Sequence, residues 1–530
     1  MRLLFIYLFL LPSVGWTQEK PLAKAVSNAK ASGKVDSFSN LFTANGSTKA
    51  VTNALDATQF IHQLTLNPTV LESISSQKHQ LLEISLPTAE GSLELELVPA
   101  TIFAPGFKMV TAVPDPNFTL DITKFQYYNG IIKNNPNSIA MVGISENSIV
   151  GTISDQTGNR VLAKRNEKSA TEYAFYNENA VTTQKPTFAC GTINSGPART
   201  PLKENPTKDT LTHTTNSTTC VKYVGVYVEL DYALYQLYSG NTNELTTKTL
   251  FLFDQVITLF RNDGIYVQLS QLYIWNSPDP YSGATIPSST TNTSELLDKF
   301  RIHWNGNNDN FLGQVAFVLT SRTFSDAGGR AYLGGLTIRP YAYGMCAYIS
   351  PNTVQPYPTY TYQVGALTHE LGHSLGSQHT HWCGWEVSPG VLGAIDNCAP
   401  TEALEGQSPC PPGPPPVGGG TIMSYCDIIP GNSKDFTKGF GPLPRNKILS
   451  VIASANLPTT TSDGIVESIV TGNWSSASTW ACGLTPTVMR NITVSGGHTV
   501  DLNTSGDTKE VNINGDLNLS ISSSSLNVNN

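Results

Sequence analysis

The sequence is poor in charge. Asp, Glu, Lys and Arg supply 14% of its residues, and Lys and Arg never gather into a cluster. With a formal net charge of −8, this argues against nucleic acid or an anionic membrane as the main partner, since both bind concentrated positive charge. No apolar run reaches the ~20 residues of a transmembrane helix, so no spanning segment is expected. One short run, residues 3–11, follows Met1-Arg2 and stops at Pro12-Ser13. A single positive charge, a brief apolar centre and small residues near Gly15 and Thr17 have the layout of a cleaved secretory signal, assigned to residues 1–17. A hydrophobic content of 39% fits folded material rather than disorder. A chain of 530 residues exceeds one ordinary core, so several domains are expected.

Cysteine is sparse too, with eight residues in all. Export makes disulfides the default state for most of them. Cys220, Cys346, Cys383, Cys398, Cys410 and Cys426 form an even set able to close three bridges within one domain, in a pairing that sequence does not reveal. Cys190 and Cys482 are left over.

Texture divides the chain. Residues 18–200 are β-rich. Residues 81–86 and 93–97 flank an Ala89-Glu90-Gly91 turn as a hairpin, and residues 138–142 and 149–153 suggest another. Residues 201–218 are polar and aperiodic, an exposed linker open to nicking. From 219 to 458 the order is a strand over 221–230, a helix over 244–261, a strand over 265–274, a buried strand over 314–320 and a helix over 362–375. That is an α/β (α+β) domain with a twisted, mostly parallel sheet. Residues 463–530 carry Ile492, Val494, Val500, Leu502, Val511, Ile513, Leu517 and Leu519 mostly two apart, a small β-rich module or the start of a β-solenoid.

The chemistry concentrates in His369-Glu370-Leu371-Gly372-His373-Ser374-Leu375-Gly376-Ser377-Gln378-His379. Histidines four apart on a helix project from one face and can chelate a single ion. Gly376 allows the turn that returns His379 as a third ligand. Three neutral histidines leave a position open for water, as a catalytic rather than a structural zinc site requires. Five such fixed positions arise by accident with a probability on the order of one in 10^5, which sets aside an ordinary helix with surface histidines. His381 holds no motif position and is expected at the surface or behind the ligands.

These residues resemble the metzincin signature, and Gly420-Thr421-Ile422-Met423-Ser424-Tyr425-Cys426 is similar to the methionine turn that follows it in that family. Over residues 75–458 the chain most resembles the reprolysin (adamalysin) group. The resemblance implies a metzincin-like catalytic domain with an active-site helix and one catalytic Zn2+ held by His369, His373 and His379. It implies Glu370 as general base, Met423 as a hydrophobic floor, and a propeptide over 18–200. The segment Gly328-Gly329-Arg330-Ala331-Tyr332-Leu333-Gly334-Gly335-Leu336 is the expected edge strand for an extended peptide substrate, with Tyr332, Leu333, Gly334 and Gly335 as its substrate-binding residues. Tyr425 stands where astacins and serralysins carry a tyrosine, and either ligates zinc or packs beside the specificity pocket. Cys190 is favoured as a thiolate closing the open zinc position, resembling a cysteine switch; the alternative is a disulfide to Cys482 or Cys220. No Asp/Asn loop specifies Ca2+.

The expected function is thus a secreted or cell-surface zinc endopeptidase, made latent and acting on proteins or peptides. Its partners are those substrates and its own propeptide, with the C-terminal module contacting cell surface or matrix. One alternative is an adhesion protein with a structural zinc domain, favoured by Asn473-Trp474-Ser475-Ser476-Ala477-Ser478-Thr479-Trp480, which resembles a motif of bacterial surface modules. The other is hydrolysis of a non-protein amide or ester.

Overall fold

The computed structural model describes residues 20–31, 33–44, 61–88, 91–165, 168–177, 190–192, 220–281, 292–307, 310–350, 359–429, 434–462, 464–487, 490–508, 510–519 and 525–528. The signal assigned to 1–17 and the linker assigned to 201–218 lie outside them. Among the described residues no helix is long and apolar enough to cross a membrane.

Ten strands of the N-terminal part form one sheet. Both expected hairpins are present, Leu82–Thr88 with Gly91–Ala100 and Asn135–Ser145 with Ser148–Asp155. The period-two alternation of strand side chains divides the strands between two cores. Tyr128, Ala140, Val142 and Ile144 enter the core of the N-terminal part. Tyr127, Ile139 and Met141 point the other way, into a core shared with the long helix Thr242–Asn262.

The expected strands and helices of the second part are found as Cys220–Leu230, Thr242–Asn262, Tyr266–Ile274, Val315–Leu319 and Thr359–Ser374. Their sheet is mostly parallel. Cys220–Leu230 pairs with Tyr266–Ile274 on one side and Val315–Leu319 on the other, and Tyr343–Cys346 continues beyond the latter. Gly329–Ala331 closes that edge in antiparallel sense. The opposite edge is filled from the N-terminal part: Phe103–Thr111 lies parallel to Tyr266–Ile274. The boundary at 200–219 therefore divides the sequence but not the sheet.

The long helix explains how the halves are joined. Asn241 caps it, its side chain accepting from the Glu244 N–H, and most of its length is buried on more than one side. Phe251 is its main contact with the N-terminal sheet, packed near Phe125 and Tyr127 at ring separations of 5.8 and 6.4 Å. Gly143 is needed opposite it, since a Cβ there would stand 2.3 Å from the Phe251 ring.

The C-terminal residues stack in parallel. Ile465–Glu467, Asn491–Val494 and Glu510–Ile513 form one ladder, and Gly472–Asn473, Thr499–Leu502 and Asp516–Leu519 a second. This is the register of a solenoid, with Val466, Trp474, Trp480, Ile492, Val494, Val500 and Leu502 as its core.

The cysteine pairing differs from the expected closed set of six. The bridges are Cys220–Cys482, Cys383–Cys410 and Cys398–Cys426, and Cys346 is a buried free thiol. The Cys220 end of its strand pairs with Thr459–Thr461, which leads into the C-terminal residues that carry Cys482. The disulfide alternative for Cys190 is overturned by the same pairing, since Cys220 and Cys482 bond each other.

Because Phe251 joins the two halves through a continuous core, Phe251→Ala should destabilise the whole chain by about 3–5 kcal/mol in denaturant unfolding. A cost below about 1 kcal/mol would show that the shared core contributes little.

Candidate metal centre

The active-site helix Thr359–Ser374 turns Leu367 and Leu371 into the main core, and Leu375 follows them there. This stripe fixes the rotation of the helix and points His369 and His373 the other way. The helix ends because Gly376 takes φ +98°, a conformation open to glycine and strained for other residues. The Gly376 N–H donates to His373 O at 2.8 Å and the Ser377 N–H to Gly372 O at 3.0 Å. The chain then returns with His379, whose Nε2 is 3.0 Å from His373 Nε2, while His369 Nε2 is 3.0 Å from the same atom.

The other ring nitrogens decide what this cluster wants. His369 Nδ1 meets Ile422 O at 2.8 Å, His373 Nδ1 meets Ser377 O at 2.7 Å and His379 Nδ1 meets a Glu402 carboxylate oxygen at 2.8 Å. All three partners are acceptors, so each Nδ1 carries the proton and each Nε2 is left with a lone pair. Burial also lowers all three imidazole pKa values, favouring the neutral form. Three unprotonated nitrogens facing one another repel unless a cation lies between them, and neutral imidazoles are the donors a zinc site uses. The residues fit the metal.

Glu370 is fully buried beside this cluster, and among the described residues neither of its oxygens meets an N–H or O–H donor. Burial pushes its pKa up to about 8, against the opposing pull of the Cys190 thiol, Lys434 and Arg330. The edge strand passes directly against it, since a Cβ on Gly329 would stand 2.5 Å from Glu370 Oε1. Met423 is fully buried under the helix, its sulfur 2.8 Å from where a Cβ on Gly372 would lie. The Tyr425 hydroxyl is 3.2 Å from His379 Nε2.

Cys190 completes the group. One ligand atom from each of Cys190, His369, His373 and His379 lies within 4.8 Å of all the others. The thiol is 2.8 Å from Thr192 Oγ1, and the Cys190 N–H donates to the Tyr425 hydroxyl at 3.0 Å. Its short segment lies along the edge strand as a parallel bridge to Gly329, with the Gly191 N–H donating to Gly329 O at 3.0 Å.

Tyr332, Leu333, Gly334 and Gly335 are not the edge strand. That strand is Gly329–Ala331. Tyr332 makes one backbone bond to Tyr343 O, and the chain then turns at Gly334, which takes φ +63° and leads into a 3-10 turn over Gly335–Thr337. The Tyr332 hydroxyl bonds Asp298 at 2.6 Å and its ring joins a separate cluster with Tyr227, Phe300 and Tyr343. Gly334 still serves the site, because its N–H donates to His373 O at 2.7 Å.

Glu402 was not legible in the sequence. Its one oxygen meets both His379 Nδ1 and, at 3.1 Å, His381 Nε2. Burial opposes its ionisation, but these two imidazole bonds prevail and lower its pKa. His381 is buried and stacked on His379 at 4.8 Å, behind the ligand cluster rather than at the surface. Glu402 lies in an irregular loop with no spacing relative to the histidine motif that could mark it.

Glu402→Ala should leave His379 free to rotate and cost about 10–100-fold in metal affinity, measured by chelator competition on the full chain. Unchanged affinity would mean that the carboxylate does not hold the imidazole.

Residues 221–437 match the family model described as metallo-peptidase family M12, Reprolysin_5. The chain is 26% identical over 162 residues to the snake venom metalloproteinase trimerelysin-2 of Protobothrops flavoviridis, covering 30% of this chain and 73% of that protein. It is 25% identical over 183 residues to the snake venom metalloproteinase TM-1 of Protobothrops mucrosquamatus, covering 34% of this chain and 84% of that protein. A solved structure, metalloproteinase-II from Bacteroides fragilis, is 12% identical over 61% of this chain and 90% of its own, at a TM-score of 0.34. Over residues 221–437 the chain is thus similar to the reprolysin-like metallopeptidases of family M12.

Proposed function

We propose that the protein is a secreted zinc endopeptidase made as a latent precursor, in which His369, His373 and His379 hold zinc and Glu370 is the general base. The observation that carries this reading is the convergence of three Nε2 lone pairs beside a buried carboxylate, with the edge strand against that carboxylate. A purely structural zinc site, as the adhesion alternative would have it, has no use for that carboxylate.

Zinc bound there would polarise a carbonyl and acidify a water. The protein's own part is positional. The edge strand Gly329–Ala331 offers backbone donors and acceptors to an extended peptide. Glu370, poised high by burial, takes a proton from the attacking water and returns it to the departing nitrogen. Met423 floors the histidines, and Glu402 and the carbonyls of Ile422 and Ser377 keep their rings aimed.

Latency is assigned to residues 18–200, with Cys190 filling the open metal position and its backbone engaging Tyr425. Tyr425 is released for substrate, or as a further ligand, when this segment leaves. The C-terminal module stays tied to the catalytic sheet through Cys220–Cys482 and is assigned contact with a cell surface or matrix. Three disulfides favour an oxidising, exported setting.

Cys190→Ser in the full chain should release chelator-sensitive cleavage of a mixed protein substrate that the intact precursor lacks. A variant as latent as the original would remove the thiol from the inhibitory role. Introduced into an active chain nicked within residues 193–219, Glu370→Gln should keep one equivalent of metal and lose at least about 100-fold in kcat. Turnover at the unmodified rate would end the general-base assignment.

A further inference from the structure

Arg330, in the middle of the edge strand, has no part in the reading above. Its Nε donates to Thr293 Oγ1 at 2.9 Å and its Nη2 to Asp326 at 3.2 Å, while Nη1 donates to the Gly191 carbonyl. The two acceptors of its own domain are themselves joined, because Asp326 takes both the N–H and the hydroxyl of Thr293 at the start of the helix Thr293–Gly306. The guanidinium is thus mounted as a plate with one donor edge facing the cleft.

What the plate covers is specific. A Cβ on Gly191 would stand 2.2 Å from Arg330 Cζ and 2.7 Å from its Nε. Glycine at 191 is required by a side chain pinned from behind, not by its own backbone angle. Gly191 directly follows Cys190, the residue facing the three histidines, and runs along the strand on which a peptide would lie.

We infer that Arg330 is a substrate-positioning and specificity residue. Nη1 anchors the carbonyl of the residue beside the one at the metal, and the guanidinium plane admits glycine there while excluding larger side chains. The precursor satisfies this demand with Gly191, and the substrates are peptides with glycine next to the residue at the scissile bond. This inference rests on the peptidase reading. A larger residue must push the guanidinium off Thr293 and Asp326, which loses charge-assisted bonds and weakens binding rather than the chemical step.

The first arm needs no catalysis. In the full chain, Gly191→Val should expose Cys190 and raise its alkylation rate, followed by mass spectrometry, by about tenfold or more, the scale on which a close-packed site resolves small groups. Adding Arg330→Ser should restore protection. Labelling no faster than in the original chain, or a double variant as exposed as the single one, overturns the steric part.

The second arm uses the chain nicked within residues 193–219 and peptide pairs with glycine or valine on each side of the scissile residue. One glycine peptide should be favoured about tenfold in kcat/KM, mainly through KM, and Arg330→Ser should flatten that ratio to within about twofold. A purely structural arginine would lower both peptides alike and leave the ratio standing, which overturns the proposal. If the nicked chain alkylates freely at Cys190, so that its cleft is open, and still cleaves nothing while the labelling arm behaves as expected, it is the peptidase reading that falls and the contact of Arg330 with Gly191 that stands.

Discussion

The site depends on three hydrogen bonds that lie outside it. Each histidine is oriented by an acceptor for its Nδ1, and the three acceptors come from different parts of the chain: the methionine turn, the turn just past the active-site helix, and an irregular loop at Glu402. Fixing the proton on Nδ1 fixes the lone pair on Nε2, and only then do three rings spaced over eleven residues aim at one place. The helix supplies two of them by its period. Everything else, from the φ of Gly376 to the Met423 floor, serves to bring the third within reach and keep the fixing carbonyls in place.

The same economy joins the two halves of the chain. The long helix Thr242–Asn262 is covered on one side by its own sheet and on another by the N-terminal sheet, so the core runs through both. The strand Phe103–Thr111 extends the catalytic sheet on the edge opposite the cleft. The N-terminal part is thus bound at two remote places: through Cys190 and Gly191 at the cleft, and through helix and strand behind it. Anchorage behind the sheet raises the effective concentration of the short segment in front. Three residues with few bonds of their own can then hold a position from which an untethered peptide of that length would dissociate.

Legibility in the sequence followed the range of the physics. The histidine motif, the turn at Gly376, the methionine turn and the hairpins are local, and each was readable from spacing alone or from family resemblance. The β-rich character of residues 463–530 was readable because the parallel ladders repeat one alternation, seen in Ile492, Val494, Val500 and Leu502. Glu402 was not, since a loop carboxylate gains its role only from a contact 23 residues away in sequence. The cysteine pairing failed for the same reason: Cys220 finds Cys482 because Thr459–Thr461 pairs beside it, a contact that no spacing encodes. The edge strand was carried too far along the chain because Tyr332 looks like a strand residue, yet its hydroxyl is drawn away to Asp298 and Arg301.

Gly329 brings the edge strand, Glu370 and the Cys190–Gly191 segment to one surface. Its missing side chain lets the strand approach Glu370 to within contact, and its carbonyl accepts from Gly191. A strand at the sheet edge this near Glu370 faces whatever lies beside that carboxylate, and strand edges pair readily with an extended chain. The segment at Cys190 and Gly191 lies on that edge: the Gly191 N–H takes the Gly329 carbonyl, and the Cys190 sulfur stays within 4.8 Å of one nitrogen of each of the three histidines. An extended chain paired to the same edge would need that carbonyl and the space beside Glu370, so the two arrangements exclude one another.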